Sequence, residues 1–177
     1  MSIKKTLILL AAFIGILLCS VGYSDARYRT AIGKDAPAIS LTHNSKTISL
    51  SDFRGEYVML TFWSATDAPS RRAVNVYTAW KRSHPTLAFN VIGVNFDDSR
   101  TLFDEIVRRD GLNSASQYYL SGADARAIGD SYGLDGGFGS VLIGPDGKIV
   151  AFNPDENALA AMVSTQGPRR SISKVLS

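Results

Sequence analysis

The sequence has 177 residues, 45% hydrophobic and 20% charged, which suits one folded domain and excludes collagen-like, low-complexity and wholly disordered chains. Its net charge of +3 is terminal: Lys4 and Lys5 lie near the start, Arg169, Arg170 and Lys174 near the end, and residues 25–165 carry 14 bases against 16 acids, a net of −2. That body lacks the surplus of Lys and Arg that phosphate contacts require, so no nucleic-acid partner is expected.

The chain opens with Lys4-Lys5, an apolar run from Thr6 to Val21 and the small residues around Gly22 to Ala26. A cationic head, an apolar stretch shorter than the ~20 residues that span a bilayer, and a small-residue flank form the pattern of a secretory signal. Residues 1–24 therefore read as a signal peptide or membrane anchor, with export to the periplasm or the outer side of a membrane expected. Three endings fit: cleavage after Ser24 or Ala26, lipidation at Cys19, where Leu18 stands in place of the usual small residue, or retention as an anchor. Membrane contact is expected through this segment alone. Cys19 is the single cysteine of the chain. The folded body is then free of thiols, which excludes a disulfide scaffold, a zinc–thiolate site, an iron–sulfur cluster and a cysteine nucleophile.

Beyond residue 33 strand and helix signals alternate. Thr47–Leu50 alternates polar and apolar, and Tyr57–Trp63 is continuously strand-forming, as expected of a strand buried on both faces. Asp67 stands as an N-cap before a helix whose Ala73, Val76, Tyr77 and Trp80 form an apolar stripe, ending before Pro85. Leu87–Phe96 is the next buried strand. Ser99 caps a helix facing inward through Leu102, Phe103, Ile106 and Val107 and stopped by Gly111. Gln117–Leu120 is a short strand, and Ala123–Tyr132 a helix ending at Gly133. Ser140–Ile143 and Lys148–Phe152 flank the turn Gly144-Pro145-Asp146-Gly147 as a hairpin. Asn153-Pro154-Asp155-Glu156 reads as an N-cap, a proline at the first helical position and a capping acid, opening a last helix to about Val163. There is no internal repeat. Residues 33–165 form the domain, and 166–177 a basic tail expected to be disordered.

Helical crossovers predict a parallel central section, and the hairpin adds an antiparallel edge. The expected class is α/β: a central mixed sheet, helices on both faces, and a C-terminal hairpin plus helix. The order resembles the thioredoxin fold, and local motifs extend the likeness. Gly33-Lys34-Asp35-Ala36-Pro37-Ala38-Ile39-Ser40-Leu41 resembles the entry segment of exported thioredoxin-like proteins of the alkyl hydroperoxide reductase/thiol-specific antioxidant and cytochrome-maturation type. Leu50-Ser51-Asp52-Phe53-Arg54-Gly55-Glu56-Tyr57-Val58 is similar to their next signature, Thr61-Phe62-Trp63 to their active-site strand, and Ile143–Val150 to their terminal hairpin. The likeness covers about residues 33–163.

The family's chemistry has no counterpart here. The resemblance places Cys-x-Pro-Cys three residues beyond Phe-Trp, and this chain has Asp67-Ala68-Pro69-Ser70 there. In a thioredoxin the positive end of that helix stabilises a thiolate. Asp67 instead offers a carboxylate that reads as an ordinary N-cap, worth about 1 kcal/mol, with a general base as the alternative. The resemblance also places a cis-proline before the penultimate strand, where Phe138 now stands. A non-proline cis bond costs ~3–4 kcal/mol, so a trans peptide and a rebuilt substrate surface, with Phe138 covering it, are expected. Serine catalysis at Ser70 needs an adjacent base, and His43 and His84 belong elsewhere in this layout. Asp97 and Asp98 follow a strand end, the side where open α/β sheets place ligands; Asp98-Ser99 reads as capping, with a metal site as the alternative for which a third ligand is lacking. Arg71 and Arg72 read as a solvated basic pair, with capture of an acidic partner as the alternative. Neither a metal nor a cofactor is expected.

Two functional readings follow. The first is a redox-inactive thioredoxin-like domain of the cell envelope that binds a protein or peptide partner through Trp63, Arg71, Arg72 and Phe138. The second is a relative of the oxidoreductases with a non-thiol or partner-dependent activity. The thiol-free body favours the first.

Overall fold

Tyr57-Val-Met-Leu-Thr-Phe-Trp63 is buried at every position, and it is the middle strand of a five-stranded sheet. The computed structural model describes residues 30–43 and 45–164; the segment with Cys19 expected to be a signal peptide or anchor, and the expected basic tail, lie outside them. In chain order the elements are β1 (Ser40–His43), β2 (Lys46–Ser49), β3 (Tyr57–Trp63), α1 (Ala68–Ser83), β4 (Phe89–Asn95) and α2 (Arg100–Arg109). They continue with β5 (Gln117–Tyr119), α3 (Gly122–Tyr132), β6 (Ser140–Ile143), β7 (Ile149–Phe152) and α4 (Glu156–Val163).

The sheet order is β5-β4-β3-β6-β7. β3, β4 and β5 are parallel, with Tyr57 opposite Phe89 and Trp63 opposite Asn95, whereas β6 and β7 are antiparallel additions. This is the expected mixed sheet. After β5 the chain crosses over β3 to begin β6, so direction reverses beside β3, where α/β sheets characteristically place ligands.

Alternation along the strands makes two cores. Val58, Leu60, Phe62, Ile92 and Val94 pack with Leu41 and Tyr132 on one face, and burial raises the pKa of the Tyr132 hydroxyl, which donates to the Pro37 carbonyl at 2.7 Å. Met59 and Val91 pack on the other face with Tyr77 and Trp80 of α1 and Leu159 of α4, and Trp63 packs there with Val74 and with Phe103 and Ile106 of α2. Gly133, in the left-handed region with φ +68, ends α3 as expected.

Three local readings need correction. The entry segment continues into β1, which pairs with β2 as a separate two-stranded antiparallel sheet, and β2 is Lys46–Ser49, with Leu50 already in a 3₁₀ turn. On α1 the deeply buried stripe is Ser70, Val74, Tyr77 and Trp80; Val76 sits on the flank, because the helix presents the i, i+4, i+7 row starting at Ser70 to the sheet. The cap of α4 is Asp155, which accepts from the Ala158 amide at 2.8 Å, and Pro154 precedes the helix. Asn153 has φ +44 and accepts the Ser140 amide at 2.7 Å, a turn role that an N-cap cannot also fill.

Candidate functional site

Three segments meet where β3 and β4 end: Ser64–Ser70, Phe96–Ser99 and the loop entering β6. The first is held by hydrogen bonds that its own sequence supplies. Asp67 caps α1, accepting from the Ser70 amide at 2.8 Å. Ser70 is buried at 4% exposure, donates to the Asp67 carbonyl at 3.1 Å and accepts the Ser64 amide at 3.3 Å. Pro69 lies exposed in the first turn, where it has no amide to leave unsatisfied. The thiol positions of the resemblance are thus filled by a capping carboxylate and a tethered hydroxyl.

Asp97 holds the loop from behind. It is 5% exposed and accepts from Ser64 Oγ at 2.6 Å, from the Ala65 amide at 3.0 Å and from Asn95 Nδ2 at 2.7 Å. The Asp97 amide in turn donates to Asn95 Oδ1 at 3.1 Å. A buried carboxylate with several donors rigidifies whatever it joins, and here it joins the end of β4 to the turn leaving β3. Sequence reasoning treated Asp97 with Asp98 as strand-end acids and missed this clamp. Its trace is the Asn95-x-Asp97 spacing beside Ser64, two polar side chains set against continuously apolar strands. Asp98 is exposed, and Ser99 caps α2 through the Leu102 amide at 3.2 Å.

Trp63 is corrected as a binding residue. It has 0% exposure and donates through Nε1 to Gln117 Oε1 at 3.2 Å, so it supports the loop and cannot meet a partner. Phe138 is half-buried; its ring packs on Phe96 at 5.7 Å, and Phe96 on Phe62 at 5.9 Å. No described peptide bond is cis. The Gly139 carbonyl accepts the Phe62 amide at 2.9 Å, which ties the Phe138 loop to the end of β3.

Arg71 is not the solvated partner of Arg72. It makes a bidentate pair with Asp110, Nε at 2.7 Å and Nη2 at 2.5 Å, joined by Asn75 Nδ2 at 3.2 Å. That hydrogen bonding holds the Asp110 carboxyl below its ordinary range and raises the Arg71 pKa. Arg72 is exposed. Thr66, Ala68, Arg71, Arg72, Asn75 and Asp110 line an open groove of about 490 Å³ beside the start of α1. His84 is the C-cap at the other end of α1, stacked on Trp80 at 4.2 Å, and His43 lies edge-on to Tyr118, so neither is placed to activate Ser70.

Residues 32–152 match the AhpC/TSA family. Among curated proteins, the thiol-disulfide oxidoreductase ResA of Bacillus subtilis is 24% identical over 154 residues, covering 83% of this chain and 84% of that protein. The crystal structure of the thioredoxin domain of a thiol-disulfide oxidoreductase from Bacteroides vulgatus superposes with a TM-score of 0.68 at 27% identity, covering 77% of this chain and 97% of that one. The solution structure of a putative thioredoxin from Neisseria meningitidis gives 0.60 at 26% identity, covering 74% and 88%. The expected resemblance is therefore met along the domain, and the chain belongs to the AhpC/TSA family, as a redoxin with the thioredoxin-like fold.

Proposed function

We propose that this protein is a redox-inactive redoxin of the cell envelope that binds a protein or peptide partner at the carboxyl end of β3. The observation that carries the reading is the occupancy of the helix start: Asp67 and Ser70 stand at the thiol positions and bond to each other and to Ser64. Thiol–disulfide exchange needs a thiolate to attack a disulfide sulfur, and a carboxylate and a neutral hydroxyl do neither that nor the reduction of a peroxide. The only cysteine of the chain is Cys19, inside the apolar leader.

Rigidity supports binding as the retained role. A loop fixed by Asp97, Ser64 and Ser70 loses little conformational entropy when a partner docks. The leader supports export, and ResA and the structural neighbours show that relatives with this scaffold carry thiol-disulfide oxidoreductase names, from which this chain departs at the site.

Insulin reduction with dithiothreitol as electron source, using the full chain in nonionic detergent, tests the reading. The expected rate equals that of dithiothreitol alone, and the same holds for hydroperoxide consumption. Acceleration abolished by Ser70→Ala would overturn it.

A further inference from the structure

Charge on the described residues is segregated. Helices α1 and α2, taken through Asp110, carry seven Lys or Arg against three Asp or Glu, a net of +4, and the remaining described residues carry five against twelve, a net of −7. The positive side is therefore a local feature of an otherwise acidic body.

Within it lies the groove of about 490 Å³ between the first turns of α1 and the end of α2, a size typical of ligand clefts. Arg71 and Arg72 line it, and Arg109 stands at its edge beside Asp110. Asp110 supplies one negative charge and divides it, bound by Arg71 at 2.5 Å and 3.9 Å from Arg109 Nε. Arg72 has no carboxylate partner among the described residues, and Arg108 is exposed beside Arg109. The nearby Asp67 is committed to the Ser70 amide, and its charge faces the positive end of α1. The small residues Thr66 and Ala68 also line the groove, and the bidentate Arg71–Asp110 pair fixes its wall. An open groove lined by Arg71 and the unpaired Arg72, with one shared carboxylate at Asp110, suits an extended chain that carries its own carboxylates.

We propose that the groove between α1 and α2 receives an acidic, extended segment of the partner protein, whose carboxylates pair with Arg72 and Arg109. This rests on the binding role proposed above and names the chemistry of what is bound.

The test is fluorescence anisotropy of a labelled peptide of alternating Glu and Gly, titrated with the full chain in nonionic detergent. Its lysine counterpart and a single-stranded oligonucleotide of equal charge serve as comparisons. The glutamate peptide should bind, with affinity falling as salt rises, and the lysine peptide should not. Arg72→Glu and Arg109→Glu should each weaken binding roughly tenfold, whereas Arg126→Glu on α3, outside the basic layer, should leave it within about twofold. Circular dichroism verifies that each variant is folded. Absence of glutamate-peptide binding, equal loss in Arg126→Glu, or equally tight oligonucleotide binding through Arg72 would overturn the groove. Insulin reduction by the same preparations reports separately on the redox-inactive reading: reduction that persists in Arg72→Glu sinks that reading and leaves the groove to be judged by the peptide alone.

Discussion

The two ends of β3 are built on different terms. At its amino end the stretches that resemble the family dock on one another: the Gly55 amide donates to the Pro145 carbonyl at 2.9 Å, the Ala36 amide to Gly147 at 3.0 Å, the Gly33 amide to Ile149 at 2.8 Å, and Arg54 bonds the Asp146 carbonyl. These are scaffold contacts, chiefly backbone to backbone, and they close the sheet around the β6–β7 turn. At the carboxyl end, where Asp67 and Ser70 stand at the positions the resemblance gives to thiols, side-chain bonds join the backbone ones: Asp67, Ser70, Ser64 and Asp97. The comparison teaches that the fold is written at one end of the strand and the chemistry at the other. One can be kept while the other is replaced.

The comparison can be broken by mutation. The largest effect is expected from Asp97→Ala, which removes the carboxylate that accepts from the Ser64 hydroxyl, the Ala65 amide and the Asn95 amide group; a loss of about 3 kcal/mol in urea unfolding is expected, with Asp97→Asn in between. A loss below about 1 kcal/mol would show that the loop does not depend on the clamp.

Next is Gly147→Val at the scaffold end, where φ is +80 and a Cβ would meet the Arg54 guanidinium; it should cost about 2 kcal/mol and leave partner binding intact. Asp67→Ala removes one cap and should cost about 1 kcal/mol, restored by Asp67→Ser. If Asp67→Ala were instead neutral, the helix start would be held by the Asp97 clamp alone.

The smallest expected effect sharpens the electrostatics. Because Arg71 holds the Asp110 carboxyl below its ordinary range, the folded state keeps it ionised at pH values where the unfolded chain binds a proton. Its stabilisation is complete above the unfolded value of about 3.9 and is lost as pH falls through the lower folded value. Asp110→Asn should therefore cost less than about 1 kcal/mol near neutral pH, and the gap to the unaltered protein should close in strong acid. A gap that widened on acidification would contradict the assignment.

Periodicity made most of this fold legible. Tyr57–Trp63 and Gly122–Tyr132 emerge within a residue of expectation, since buried strands and capped helices leave strong local patterns. What stayed hidden was set by tertiary partners. Arg71 looked solvated because Asp110 is 39 residues away in the chain. Asp97 looked like a strand-end acid because the donors it binds, Ser64 and Ala65, stand on another strand's exit. Trp63, at the end of a strand already read as buried, looked like a binding residue because its enclosure by α2 and its bond to Gln117 are tertiary. Asn153 looked like a cap because Ser140, its actual donor, is 13 residues earlier.

The central claim is that the scaffold end of β3 is intact and only the chemical end is rebuilt, in two places. Insulin reduction by Asp67→Cys/Ser70→Cys and by the same pair with Phe138→Pro measures it directly. The cysteines would stand one helical turn apart at a helix start that favours a thiolate, as the fold requires. The double variant should form its disulfide but reduce insulin poorly, with Phe138 still packed on Phe96, and the triple variant should be appreciably faster. A double variant as active as an ordinary thioredoxin would contradict the account and leave cysteine loss as the whole difference.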